Sequence, residues 1–487
     1  MVSFNGIPST LRTPLVFIEF DKTKAQQGPT IQPYTALVLG QRLTAGTVAE
    51  KVPTLVTNAD QAALYFGAGS MLHGMARALF ENNQVTKAIF CAINDAGGGV
   101  KASGTLTFTG PSTAAGTLYL HIAGYRLLVA VASGASATTI ATAVAAAINA
   151  ATYLPVTCTS NLGVVTVTAR NAGTLGNSLD MRVNHNAGEN LPAGVGLTVV
   201  ALTGGTGDPA VTEFWPILGD EHYNVIAFPW LDSTNLSALD TELEDRAGPL
   251  RMIEAIAVTA KNDTHANLIT FGDGRNSGYV TTVGIKGSPT PQYERAAAVA
   301  GIIALHGNID PARPFQTLEV RGVIAPKVTD RFTRAERNLL LWDGIATTFV
   351  DAAGVERIER LVTNYQENAY GAADTALLDV NTVLTLGYLR YDFRASFTNA
   401  YPRHKLANDG VRVGPGQAIV TPNTAKAWCL TKFRQWEQLG LVEDFDAFKK
   451  NLVVERNISD PNRLDFMLPP DLINQLRVAA VQIGFRV

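Results

Sequence analysis

Ser70, His222 and Asp220 are the side chains whose types and surroundings come nearest to a nucleophile, a base and an acid. Ser70 stands in Gly67-Ala68-Gly69-Ser70-Met71, which resembles a nucleophile elbow but has no glycine after Met71 to make the strained strand-to-helix turn. It reads instead as the cap of the helix that follows. Asp220-Glu221-His222 places an acid and a base beside a strand, yet no nucleophile or oxyanion loop can be assigned to them.

Phosphate and metal chemistry fare no better. Lys286-Gly287-Ser288 lacks the upstream glycine of a phosphate cradle and reads as a polar turn. Gly272 to Gly278 is glycine-rich, but it follows a helix and precedes a strand, the reverse of the dinucleotide-binding order, so a helix C-cap and turn are expected. The seven histidines, at 73, 121, 185, 222, 265, 306 and 404, show no ligand spacing. Cys91, Cys158 and Cys429 are far apart and read as reduced, buried thiols. No cofactor, metal or catalytic residue is expected.

The elements around these residues suggest several domains in 487 residues. After an arm over 1–33, strand and helix patterns alternate from Tyr34: TALVLG, a helix capped by Asn58, the helix MLHGMARALFENN and the strand KAIFCAIN. The pattern stops at Asp95-Ala96-Gly97-Gly98-Gly99 and resumes after Thr203-Gly204-Gly205-Thr206-Gly207, two stretches that read as flexible hinges. Between them, 101–189 carry about six Lys, Arg, Asp or Glu residues where roughly 22 are usual, so 98–206 is expected to be an inserted, β-rich α+β module. NVIAFPW, a helix capped by Ser233 or Asn235, RMIEAIAVTA, YVTTVGIK and a long apolar helix follow. The fold class expected is therefore α/β plus α+β: a doubly wound domain split into 34–97 and 207–356, an α+β C-terminal domain over 357–475 and a terminal strand over 476–487.

Charge excludes more than it identifies. A net charge of -3 removes the signature of a general nucleic-acid or anionic-membrane binder, and 17% charged residues against about 25% usually suggests surface covered between subunits. Arg390, Arg394, Arg403, Lys405 and Arg412 interleave with aromatics, but Asp392 and Asp409 dilute them; salt bridges to neighbouring subunits are at least as good a reading as nucleic acid. No signal peptide is visible, and the apolar run from 296 to 305 is about half of the ~20 residues that span a bilayer. A protein without membrane insertion, made in a cytoplasm, is expected.

FGAGSMLHGMARALFENN, the charge-poor insert between glycine runs, VIAFPWLDSTN, RYDFRASFTNAYPRHKLANDG, VGPGQAIVTP and the ending RLDFMLPPDLINQLRVAAVQIGFRV together resemble the tail sheath proteins of contractile bacteriophages, of the Mu-like kind. The resemblance implies that the split domain is subtilisin-like in fold, without protease activity. It implies a structural protein of the virion tail that polymerises with itself, as hexameric rings or a helix, around a tail tube, meets baseplate and tail terminator proteins, and contracts for genome delivery. Val16, Ile18 and Phe20 share one face near the start of the chain, and Val481, Ile483, Phe485 and Val487 share one at its end. These are expected to be intersubunit strands, the alternative being that they complete the subunit's own sheet. Arg390, Arg394, Arg403 and Lys405 are candidate contacts to neighbours or tube. Two other classes stay open: another tail or phage-derived particle component, and a hydrolase on a subtilisin-like scaffold.

Overall fold

A computed structural model describes residues 32–412, 414 and 416–486. The N-terminal face of Val16, Ile18 and Phe20 lies outside the described residues, as does Val487. The first part of the body comprises β1 (Thr35–Gln41), β2 (Thr54–Val56), α1 (Ala59–Phe66), α2 (Met71–Asn82) and β3 (Lys87–Ile93). Asn58 caps α1 by accepting from the Gln61 amide, and Ser70 caps α2 by accepting from that of His73.

The insert contributes β4 (Ser103–Thr109), β5 (Gly116–Ile122), β6 (Tyr125–Val131), α3 (Ala137–Ala150), β7 (Val156–Asn161), β8 (Val164–Ala169), β9 (Met181–Val183) and β10 (Gly196–Thr203). They form two antiparallel sheets, ordered β10-β4-β8-β7 and β6-β5-β9. Two of these strands have no clear sequence signal. In β7 the end, Ser160-Asn161, is polar, and in β10 a register shift after Val200 breaks the alternation. The glycine runs at either end are not loose hinges. Val100 and Thr206 exchange two backbone hydrogen bonds of 2.8 and 3.1 Å, which ties the entering and leaving chains together.

The body then continues with α4 (Trp215–Leu218), β11 (Val225–Ala227), α5 (Ser233–Ala247), β12 (Ile256–Asn262), α6 (His265–Asp273), β13 (Val280–Ile285), α7 (Gln292–Ile309), α8 (Arg334–Trp342), β14 (Ile345–Val350) and β15 (Glu356–Arg360). One eight-stranded sheet runs β15-β14-β13-β12-β11-β1-β3-β2, parallel except at its two edge strands. Its inner strands are buried on both faces, which is why they read as continuous apolar or threonine runs. Two expectations need correction. Asp232, not Ser233 or Asn235, caps α5, because the helix already includes both of those residues. The boundary expected after 356 falls inside β15, so the sheet continues past it.

The remaining elements are α9 (Val380–Ala400), β16 (Lys405–Leu406), β17 (Ile419–Val420), α10 (Pro422–Gln438), β18 (Val442–Glu443), α11 (Phe445–Asn451), β19 (Val453–Arg456), β20 (Leu464–Met467) and β21 (Asp471–Leu472). Phe433, Trp436 and Phe448 centre a second core, and Phe393, Phe397, Trp428 and Phe466 gather beside it with ring centroids 5.2–5.8 Å apart. Helix α9 starts at Val380; the Asp379 carboxylate is taken by Arg360 and Arg477 and does not cap it. Among the described residues, 473–486 lie in no strand.

Candidate functional site

The residues that suggested chemistry are held apart. Ser70 precedes α2, at the end of the sheet where β1 finishes, whereas His222 precedes β11, at the opposite end. His222 Nε2 lies 3.0 Å from the Glu254 carbonyl, and burial lowers its pKa. Asp220 is turned away, 82% exposed, and accepts from Arg251 Nε at 2.9 Å. Ser70 and His222 therefore cannot meet, and Asp220 orients neither.

In an open α/β sheet, ligands bind beyond the carboxyl ends of the strands, where the strand order reverses. Here the insert fills the space beyond the carboxyl end of β1. Asp95 Oδ1 accepts from Gln41 Nε2 (2.8 Å) and Asn171 Nδ2 (2.9 Å), and its Oδ2 accepts from the Ala172 amide (2.9 Å). Gln41 also donates to the Ala172 carbonyl at 2.7 Å. The space left beside them is about 20 Å³, room for one water.

The other glycine-rich segments are structural. Gly274 ends α6, and a Cβ on Gly272 would stand 2.1 Å from the Asp343 carbonyl oxygen. Ser288 accepts from Arg295 and donates to the Ile324 carbonyl, so the turn at Lys286-Gly287-Ser288 supports α7. Among the described residues no His, Cys, Asp and Glu group has metal-binding geometry. The three cysteines are free and buried, and desolvation pushes the thiols of Cys91 and Cys429 up to about 12 and that of Cys158 to about 11.

The basic group of α9 and the loop after it divides in two. Arg390 is engaged internally, donating to Glu254 at 2.9 Å and to the Ala247 carbonyl at 2.7 Å. Arg394, Arg403, Lys405 and Arg412 are exposed. Asp392 does not dilute them: it is buried, where Lys432 and Trp436 Nε1 each reach its Oδ2 at 2.6 Å. Asp409 accepts from the Asn423 amide in the first turn of α10.

The C-terminal segment exposes apolar side chains at alternate positions. Gln316 holds the Leu476 carbonyl at 3.1 Å and Arg477 pairs with Asp379 at 3.0 Å. Beyond this anchor Val481, Ile483 and Phe485 are 80%, 82% and 83% exposed.

Comparison with known proteins decides what this arrangement belongs to. The model of the phage tail sheath protein central domain matches residues 204–364, and that of the phage tail sheath C-terminal domain matches 372–486. Over 484 residues, 99% of each chain, the sequence is 39% identical to the Mu-like prophage FluMu tail sheath protein of Haemophilus influenzae. The chain belongs to the phage tail sheath protein family. It is a structural protein of a contractile phage tail, as the resemblance in its sequence implied, and its fold is mixed α/β. Solved sheath structures are similar at a lower level. The sheath tail protein of Desulfitobacterium hafniense has a TM-score of 0.49 and 12% identity, covering 94% of this chain and 100% of that one. The helical sheath of the anti-feeding prophage in its contracted state has a TM-score of 0.48 and 10% identity, covering 97% and 98%. The assignment rests on the family models and the Haemophilus relative. No described helix of the sheath chain is long and apolar enough to cross a membrane.

The sequence did not point to the seal between insert and body. Asp95 and Asn171 stand 76 positions apart in polar, glycine-containing stretches, and nothing in their local pattern says that they meet. The one trace is that Asp95 follows a strand just before the first glycine run.

Proposed function

We propose that the sheath chain polymerises into a helical homopolymer of hexameric rings around a tail tube, and that contraction drives the tube through the host envelope. The C-terminal segment carries this reading: it is anchored at Leu476 and Arg477 and then exposes a row of apolar side chains that, among the described residues, belongs to no strand. Such a strand is marginal until it adds to a sheet, where main-chain hydrogen bonds give direction and alternate side chains fill pockets. A contact passed one way between copies does not close on itself and so builds filaments. Val16, Ile18 and Phe20, together with Val487, take the same part in this reading.

The split α/β body serves as the family's subtilisin-like domain, with 98–206 on the outside and 357–475 towards the tube. Arg394, Arg403 and Lys405 are exposed and can contact neighbours or tube, while Arg390 is held within the subunit by Glu254 and the Ala247 carbonyl. Baseplate and terminator proteins meet the two ends of the polymer, and assembly takes place in the host cytoplasm, with no nucleic acid bound directly. The chain has no catalytic role in this reading: Ser70→Ala, Asp220→Asn and His222→Ala should each leave assembly intact. The test is electron microscopy of the purified chain. Wide hollow tubes are expected, and Ile483→Asp with Phe485→Asp should leave folded, soluble protein without tubes; tubes formed by the double variant would overturn the proposal.

A further inference from the structure

Glu294, in the first turn of α7, is 3% exposed and faces the insert. Tyr125 of β6 donates its hydroxyl to Glu294 Oε2 at 2.8 Å. The Arg77 guanidinium of α2 lies 4.3 Å from the centroid of the Tyr125 ring and 5.1 Å from that of Tyr153, so a body cation is clasped by two insert aromatics. Gly74 of α2 makes room for the carboxyl, since a Cβ there would stand 2.5 Å from Glu294 Oε1.

We propose that Glu294 is a proton-controlled latch that fixes the insert to the body, closed most tightly when the carboxyl is protonated. A neutral carboxyl suits this site because closing the interface removes the water that would stabilise its charge. The charged and titratable groups facing it are few: Arg77 on α2, Tyr125 on the insert and Tyr293 beside it on α7. Arg77 and the Tyr125 hydroxyl both favour the anion, yet desolvation outweighs them and raises the carboxyl to about 7. Tyr125 and Tyr293 are themselves pushed well up by burial and stay neutral throughout the relevant range. Nearby His73 is pushed down to about 4 by burial and by Arg77, and titrates below that range.

The sign follows from proton uptake. The docked interface holds the proton more tightly than an undocked, solvated glutamate with its ordinary value of 4.5, so docking weakens as pH rises through 7. Between pH 6 and 8.5 the docking equilibrium should fall about tenfold. Hydrogen exchange on the full-length chain, expressed as protection factors to remove the intrinsic pH effect, reads this in the amides of 69–77, 123–127 and 290–296. Protection in wild type should fall about tenfold over that range, and in Glu294→Gln it should stay flat. Tyr125→Phe removes a donor that favours the anion, so it should move the midpoint to higher pH and keeps the test open should Glu294→Gln fold poorly. Wild-type protection independent of pH, the same pH dependence in Glu294→Gln, or an unmoved midpoint in Tyr125→Phe would each overturn the latch.

Discussion

The carboxylate of Asp95, two residues past the end of β3, accepts the backbone amide of Ala172 in the insert at 2.9 Å. This contact and its two companions from Gln41 and Asn171 close the place where an α/β sheet would ordinarily take a ligand. Asp95→Ala leaves three donors without their acceptor, and hydrogen bonds to a charged group are worth about 1.5–3 kcal/mol each in favourable settings. Asp95 is only half-buried and Gln41 keeps its bond to the Ala172 carbonyl, so water offsets part of that sum and the chain should lose about 2–3 kcal/mol of stability by urea titration, with faster proteolysis near 170–178. Unchanged stability would mean that the seal is not structural.

Arg295 of α7 and Glu356 of β15 form an ion pair with side chains 0% and 1% exposed, joined by Ser288 and Thr348. Removing one member of a buried pair strands the other charge and costs about 3–5 kcal/mol, whereas replacing both with apolar side chains is often neutral. Arg295→Met should therefore be severely destabilised in thermal melts. Adding Glu356→Leu should recover most of that loss.

Much of the body was legible in the sequence because its strands are buried on both faces and its helices carry their own caps. Asn58, Ser70 and the run from Val280 to Ile285 are local signals with a local outcome. The surfaces between parts were not legible, since they depend on residues brought together by topology. Tyr125 and Glu294 stand 169 positions apart, and each is unremarkable in its own segment. The glycine runs were misread as loose hinges for a related reason: composition reports what a backbone can adopt, while the pairing of Val100 with Thr206 needs both ends in place.

His73 supplies a pH signature of its own. Its Nδ1 accepts from the Gly69 amide at 3.0 Å, and burial, assisted by Arg77, lowers its pKa to about 4. The unfolded chain binds the proton near the ordinary value of 6.5, so stability falls as pH drops from there towards 4. His73→Asn keeps an acceptor for Gly69 and removes the titration. The stability difference between wild type and this variant should shrink by about 3 kcal/mol from pH 7 to pH 4. A constant difference would contradict it, and the opposing contribution of Glu294 cancels because both chains share it.

The central claim is that copies of this chain are joined through their ends, so the decisive measurement is sedimentation velocity of a chain lacking 478–487, paired with its melting temperature. Burying an exposed apolar side chain of this size is worth about 1.5–3 kcal/mol, so Val481, Ile483 and Phe485 together could hold a neighbour once ordering costs are met. The account predicts a folded monomer that melts with the full-length chain and does not polymerise. Full-length tubes from the truncated chain, or a monomer that melts well below the intact one, would contradict it.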